Sequence, residues 1–308
     1  MNVIGIDFTS SPSRRKPLTC IHCTLEGNTL RAHSLKEWPD FRQFEDALKT
    51  PGPWIAGLDF PFGQSRTFIE NIGWSSDWAD CVTNAGSLGR QGFRDALEDY
   101  RRPRPFGDKE HRRRTDIAAS SISPQKLYGV PVGLMFFEGA PRLVKSGAMI
   151  PKLQSGDPER IVVETYPGVL ARHLVGRTSY KNDSVRKQTK AQLQTRHDML
   201  NYILNGKLEG LYGLRIEAAR DLADDPSGDR LDALLCAIQA AWAWTMRDHG
   251  FGAPRAVDAL EGWIADPSLS DKRISLRENS EARDVALYAF PLKGVEGTGQ
   301  QNSSSRQN

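Results

Sequence analysis

Three acids, each closing a short apolar run, constrain the fold of this 308-residue chain more than any other feature. Val3-Ile4-Gly5-Ile6 ends in Asp7, Trp54-Ile55-Ala56-Gly57-Leu58 ends in Asp59, and Ile161-Val162-Val163 ends in Glu164. Apolar runs of this length, rich in β-branched residues, read as buried strands, and strand interiors disfavour Asp. An ionised carboxylate beside an apolar core costs several kcal/mol unless it is paired or bound to a metal, so the three placements need a common cause. Turn chemistry follows each acid: Thr9, Ser10, Ser11 and Pro12 after Asp7, Pro61 and Gly63 after Asp59, and Thr165 and Pro167 after Glu164. In an open α/β sheet the carboxyl ends of parallel strands share one edge, where such folds bind ligands. The three acids are therefore expected to converge.

The surrounding pattern supports an α/β chain. Residues 2–8, 17–25 and 28–35 read as a three-stranded meander with a turn at Glu26-Gly27-Asn28. Phe41, Phe44 and Leu48 are spaced as on a helix over 39–49, and a strand follows at 54–58. Residues 65 to 150 are rich in Gly, Arg, Pro and Ser, which predicts an insertion with one short helix near Phe93–Tyr100 and another near Asp116–Ser121. Regularity returns with the strand at 161–164 and with helices over 169–174 and 187–204. Leu231, Leu234, Leu235, Ile238 and Trp242 define a long helix within 226–247, and 254–266 is expected to add another. Residues 294–308 have the composition of a disordered tail.

The long helix brings further acids. Asp229 and Asp232, at i and i+3, share a face that Cys236 and Gln239 continue. Asp225 and Asp229 have a simpler role open to them, as acids at a helix start, but Asp232 lies deeper. If this helix begins beside the strand ends, Asp7, Asp59, Glu164 and Asp232 form one site, with Asp229 as a further ligand. Four carboxylates together repel one another unless cations neutralise them, and hard oxygen donors suit Mg²⁺ or Mn²⁺. Two such ions about 3.5 to 4 Å apart stabilise the attacking and leaving oxygens of a phosphodiester displacement. The expected cofactor is thus Mg²⁺ or Mn²⁺, and the expected chemistry that of a nuclease.

The blocks GIDFTSS, GLDFPFG, VVETYPG, GDRLDALLCAIQAAW and LEGWI, spread over residues 2 to about 264, resemble the predicted RNase H-like nucleases grouped as domain of unknown function family 429. The resemblance implies a ribonuclease H-like α/β fold: a mixed five-stranded sheet flanked by helices, with the large insertion between the fourth and fifth strands. It implies one domain over 1–290 and matches Asp7 to the first-strand acid, Asp59 to the acid after the fourth strand, Glu164 to the fifth-strand acid and Asp232 to the C-terminal helix acid. Related resolvases use a pair of acids on the last helix, which leaves Asp229 or Asp232 as the fourth ligand. The opening Gly-Ile-Asp with hydroxyl residues also resembles actin-like ATPases and kinases, although their second phosphate loop is absent from this sequence.

Charge points to the partner. The net formal charge of +3 is uninformative, but the insertion concentrates Arg101, Arg102, Arg104, Arg112, Arg113 and Arg114, with Lys109 and Lys126. Arginine binds phosphate bidentately, so this segment is the expected nucleic-acid contact, with Tyr100, Phe106 and His111 available to stack on bases. A nucleic-acid-binding protein without catalysis satisfies the same pattern. Lys181, Arg186, Lys187 and Lys190, downstream of Glu164, offer a second phosphate contact or a solvated helix face, and His173 a general base near Glu164 or a surface or capping histidine; the second reading is favoured for each. Cys20-x-x-Cys23 lacks a second ligand pair for zinc and reads as apolar packing on a strand. Hydrophobic residues at 39% and charged residues at 26% exclude a wholly disordered chain, and the apolar runs are too short to span a membrane. The first residues lack a signal-peptide pattern, so a reducing cytoplasm is expected. Walker A, G-x-S-x-G, H-E-x-x-H and dinucleotide-binding motifs are absent from the sequence.

Overall fold

The apolar runs at the start of the chain pair with one another. The structure, a computed structural model, describes residues 1–270, and all of these fall in one compact unit. The expected boundary at 290 and the expected disordered tail at 294–308 lie outside the described residues. β1 (Asn2–Asp7), β2 (Leu18–Glu26) and β3 (Thr29–Trp38) form the antiparallel meander, with Asp7 opposite Thr19. α1 (Phe41–Lys49) starts where the Asp40 carboxylate accepts the Arg42 N–H at 2.9 Å, and it buries Phe44 and Leu48. β4 (Trp54–Leu58) then lies parallel to β1.

The insertion is more regular than its composition predicts. It folds as α2 (Arg66–Ile72), α3 (Trp78–Ser87), α4 (Gly89–Arg101), α5 (Arg114–Ala118) and α6 (Val132–Ser146). These helices bury Phe68, Trp78, Phe93, Leu97, Phe136 and Leu143 in a core shared with one face of the sheet. Tertiary burial outweighs the low helix propensity of Gly133, Gly139 and Pro141 inside α6.

β5 (Ala148–Met149) and β6 (Asp157–Glu164) come next, followed by α7 (Pro167–Val175), α8 (Lys190–Leu204), α9 (Glu209–Tyr212), β7 (Arg215–Glu217) and α10 (Asp229–Thr245). The sheet has seven strands in the order β5-β6-β4-β1-β2-β3-β7, which corrects the five-stranded expectation. The two additional strands lie at the edges and are too short to carry a readable period. β6 is parallel to β4, so β1, β4 and β6 all end at the same edge. The helix expected over 254–266 does not form. Instead Ile264 bridges to Glu164 as an extended segment, and the Ala265 N–H donates to the Glu164 carbonyl at 2.8 Å.

Alternation divides the core. Val3, Ile55, Ile161 and Val163 face α7, α8 and α10, whereas Ile4, Ile6, Ala56, Leu58 and Val162 face α1 and the insertion. Cys23 lies in the first core and Cys20 in the second, so the two thiols are on opposite faces of the sheet and cannot share a metal. α10 is buried throughout Leu231–Ala243. It approaches the sheet so closely that a Cβ on Gly5 would lie 2.0 Å from the Ala233 carbonyl oxygen, and one on Gly57 2.5 Å from that of Cys236. These two glycines let the helix lie directly on β1 and β4 and bring its first turn to their carboxyl ends. Among the described residues, no helix is long and apolar enough to cross a membrane.

Candidate functional site

Asp7 ends β1, and Asp59 follows β4 with its N–H donated to the Ile6 carbonyl at 3.1 Å. Asp229 and Asp232 occupy the first turn of α10. These four acids are brought together. Burial holds the Asp7 carboxyl well above its ordinary pKa; Lys181 opposes this, while Asp229, Asp232 and Asp59 add to it. Burial and then Asp232 push Asp59 up to about 7. Asp229 is raised as well, first by burial. Asp7 is 8% exposed, and its carboxylate, among the described residues, receives no hydrogen bond.

The cation in this cluster is Lys181, which the sequence pattern assigns to a solvated helix face. It lies instead in the loop between α7 and α8, where its ammonium contacts one Asp232 oxygen while the Tyr180 hydroxyl donates to the other at 2.7 Å. Burial works against the ammonium, but Asp232, Tyr180 and Asp7 hold its pKa well above that of an ordinary lysine. The loop backbone is fixed by Arg196, which donates to the Tyr180 carbonyl at 2.8 Å, and by Gln192, which donates to that of Lys181 at 3.1 Å. Gly228, at φ +79°, precedes α10 and gives the lysine stem its path: a Cβ there would lie 2.9 Å from the Lys181 Cβ. Coil has no period to read, so the only available signal for Lys181 is that four clustered acids need a counter-charge.

Glu164 is nearby and raises the pKa of Asp59, but its oxygens are engaged. Arg113 forks onto it, with Nη1 donating to Oε2 at 2.8 Å and Nη2 to Oε1 at 2.6 Å, and the Phe62 N–H donates to Oε2 at 2.8 Å. The same guanidinium binds Asp116 at 2.8 and 2.9 Å and the Glu261 carbonyl at 3.0 Å. Burial pushes the Glu164 carboxyl up, and Arg113 pulls against it. The expectation that Arg113 contacts phosphate is corrected: at 1% exposure it is turned inward to compensate two buried carboxylates. Glu261, which the sequence places in the LEGWI block without a role, accepts the Arg66 and Arg114 N–H groups at 2.9 Å each, and so caps both α2 and α5.

The remaining basic residues differ in availability. Arg101 bonds Glu98 at 3.3 Å, and Arg104 bonds Asp108 at 2.6 Å while stacking over Tyr100. Arg102 is exposed and lies 3.0 Å from Asp99. Arg112 and Arg114 are exposed, and their side chains make no ion pair among the described residues. Phe106 is fully exposed, whereas Tyr100 is buried with its hydroxyl 2.6 Å from His111, which removes it from the set of base-stacking residues. A cleft of about 330 Å³ is lined by Arg172, Arg177, Tyr180 and Lys181 among others, and the last two are the residues that also reach Asp232.

Whether these residues suit a divalent ion has two answers. As arranged, no group of three or more His, Cys, Asp or Glu side chains among the described residues is placed to hold a metal ion, and both Asp232 oxygens already have donors. In charge and chemistry the fit is good. One ammonium faces four carboxylates, Asp7 has no donor of its own, and oxygen ligands of this kind suit Mg²⁺ or Mn²⁺. Asp7, Asp59, Asp229 and Asp232 are the residues that would hold it.

A family model described as "Protein of unknown function (DUF429)" matches residues 5–255. The chain belongs to this family. The DUF429 match runs from β1 past the end of α10, so it includes the four acids, Lys181 and Arg113. It stops before Glu261, short of the LEGWI block that the sequence resemblance includes. Neither the curated proteins nor the solved structures contain a match to the chain.

Proposed function

We propose that this protein is a divalent-metal-dependent phosphodiesterase that cleaves nucleic acid on a ribonuclease H-like core. The observation that carries this reading is a cluster of four acids at the ends of β1 and β4 and the start of α10, in which Asp7 is buried without a hydrogen-bond donor. The central strand order β3-β2-β1-β4-β6, a meander followed by two parallel strands, is in keeping with that core. Bound Mg²⁺ or Mn²⁺ would supply charge stabilisation for the attacking and leaving oxygens. Asp7, Asp59, Asp229 and Asp232 bind the cation. Glu164, held by Arg113 and the Phe62 N–H, is left out of the ligand set and fixes the end of β6. Exposed Arg112, Arg114 and Arg102 in the insertion, together with Arg177 beside the cleft, hold the phosphate backbone; Phe106 is free to stack on a base.

The test is a panel of labelled DNA, RNA, hybrid and junction substrates, with ATP as a further arm, incubated with Mn²⁺ beside the Asp7→Asn protein. Cleavage of a nucleic acid that Asp7→Asn reduces by at least about a hundredfold, with the fold retained, is the expected result. Hydrolysis of ATP alone would move the protein to the actin-like reading. Salt-sensitive binding without any cleavage would make it a non-catalytic binder, a reading favoured by the occupation of both Asp232 oxygens.

A further inference from the structure

We propose that the Lys181 ammonium is a built-in competitor for the metal position, one that balances the acid cluster when no divalent ion is bound and leaves Asp232 for the adjoining cleft when one binds. The inference rests on the metal-dependent reading above. Asp232 is a poorer ligand for a cation while its two oxygens accept from Lys181 and Tyr180, because one lone pair of each is taken and the ammonium repels an incoming positive ion. The ammonium is also the member of this pair that is able to leave. Its side chain is 34% exposed, it borders the cleft of about 330 Å³, and the walls of that cleft include Arg172 and Arg177. The backbone on either side of the lysine stem is pinned by Arg196 and Gln192, so the exchange requires only rotation of the side chain and no opening of the loop. Gly228 lets the lysine stem lie directly against the backbone ahead of α10, since a Cβ there would come within 2.9 Å of the Lys181 Cβ and 3.0 Å of its Cδ.

The exchange also suits the substrate class. An ammonium released into a cleft with basic walls needs an anionic partner, and a phosphate of the nucleic-acid backbone supplies one. Lys181 thereby changes partner from a carboxylate to a phosphate, so that arrival of the metal and seating of the polyanion favour each other. A lysine with a purely structural role would stay on Asp232 throughout.

Calorimetric titration of the full chain with MnCl₂, in the absence of nucleic acid, tests the competition. Lys181→Met should bind Mn²⁺ about tenfold more tightly than the wild type, equivalent to roughly 1.4 kcal/mol, whereas Lys181→Arg, which keeps the charge, should bind no more tightly. Independently, reductive methylation of the wild-type protein, followed by peptide mass analysis, should label Lys181 faster when Mn²⁺ is saturating. This second readout decides the question if Lys181→Met fails to fold. Equal or weaker Mn²⁺ binding by a folded Lys181→Met, or labelling of Lys181 that metal leaves unchanged, overturns the competition. The metal reading survives that result provided Asp7→Asn abolishes binding. Absence of Mn²⁺ binding by both wild type and Lys181→Met overturns the two together.

Discussion

Glu164 and Asp7 both close an apolar parallel strand at the same edge of the sheet, yet their surroundings are opposite. Glu164 accepts a bidentate guanidinium and a backbone N–H, in a pocket where Arg113 also serves Asp116. Asp7 accepts no hydrogen bond among the described residues and shares a single ammonium with three other acids. A buried carboxylate with saturated acceptors is a tie between segments, whereas one left short of donors is a place for something to bind. Strand-end position alone does not separate the two; the count of donors does.

The sharpest way to break this contrast is to remove the guanidinium. Arg113→Met should destabilise the fold by about 3 to 5 kcal/mol, read by denaturant unfolding, because it leaves Glu164 and Asp116 buried without a counter-charge. A loss below about 1 kcal/mol would mean that the pocket is not a structural tie. Replacing a carboxylate by its amide should then have opposite signs in the two places. Glu164→Gln should cost about 1 to 3 kcal/mol through weakened charge-assisted hydrogen bonds. Asp7→Asn should instead stabilise the metal-free protein at pH 8, because the amide escapes the burial cost and the repulsion that the charged carboxylate bears. Matching signs would erase the distinction.

Acidity provides a smaller and more specific probe. Asp59 has an ordinary value of 3.8 and is pushed up to about 7 in the fold. Between these values the folded protein keeps a proton that the unfolded chain has released. Its contribution to stability is therefore complete below about pH 4 and is lost as pH rises through 7. Metal-free protein should show a melting temperature that falls over this window, and Asp59→Asn should flatten the fall. The smallest effect belongs to the exposed arginines. In a binding assay, replacing Arg112 and Arg114 with Gln should weaken duplex binding and reduce the salt slope by about 0.9 for each phosphate no longer neutralised, with no change in stability. An unchanged slope would remove this surface from the interface.

Much of the frame is legible in the sequence where a period exists. β1 to β4 and β6 follow from apolar runs bounded by turns and α10 from helical spacing; the meeting of Asp7 and Asp59 follows from parallel strands sharing an edge, and that of Asp232 from a helix that begins beside it. Within the insertion, α4 and α5 fall where short helices are expected, whereas α6 is hidden by its Gly and Pro, whose low propensity is overcome by packing partners far away in the chain. Lys181 and Arg113 escape a reading of the sequence for a different reason. Each meets its carboxylate across 51 residues of sequence, Lys181 at Asp232 and Arg113 at Glu164, and each precedes or interrupts regular structure where no local pattern assigns an orientation. Surface charge is the wrong prior for both, because a buried acid cluster draws in the nearest available cation.

The Glu261 carboxylate, which caps α2 and α5 together, has a bearing on how the molecule is made. A ribosome releases residues 66 and 114 well before residue 261, so two helices of the emerging polypeptide go without their common anchor until that residue emerges. Capping of these two helices is therefore a late event of biosynthesis, and a nascent chain stalled ahead of residue 261 should expose their first turns to protease.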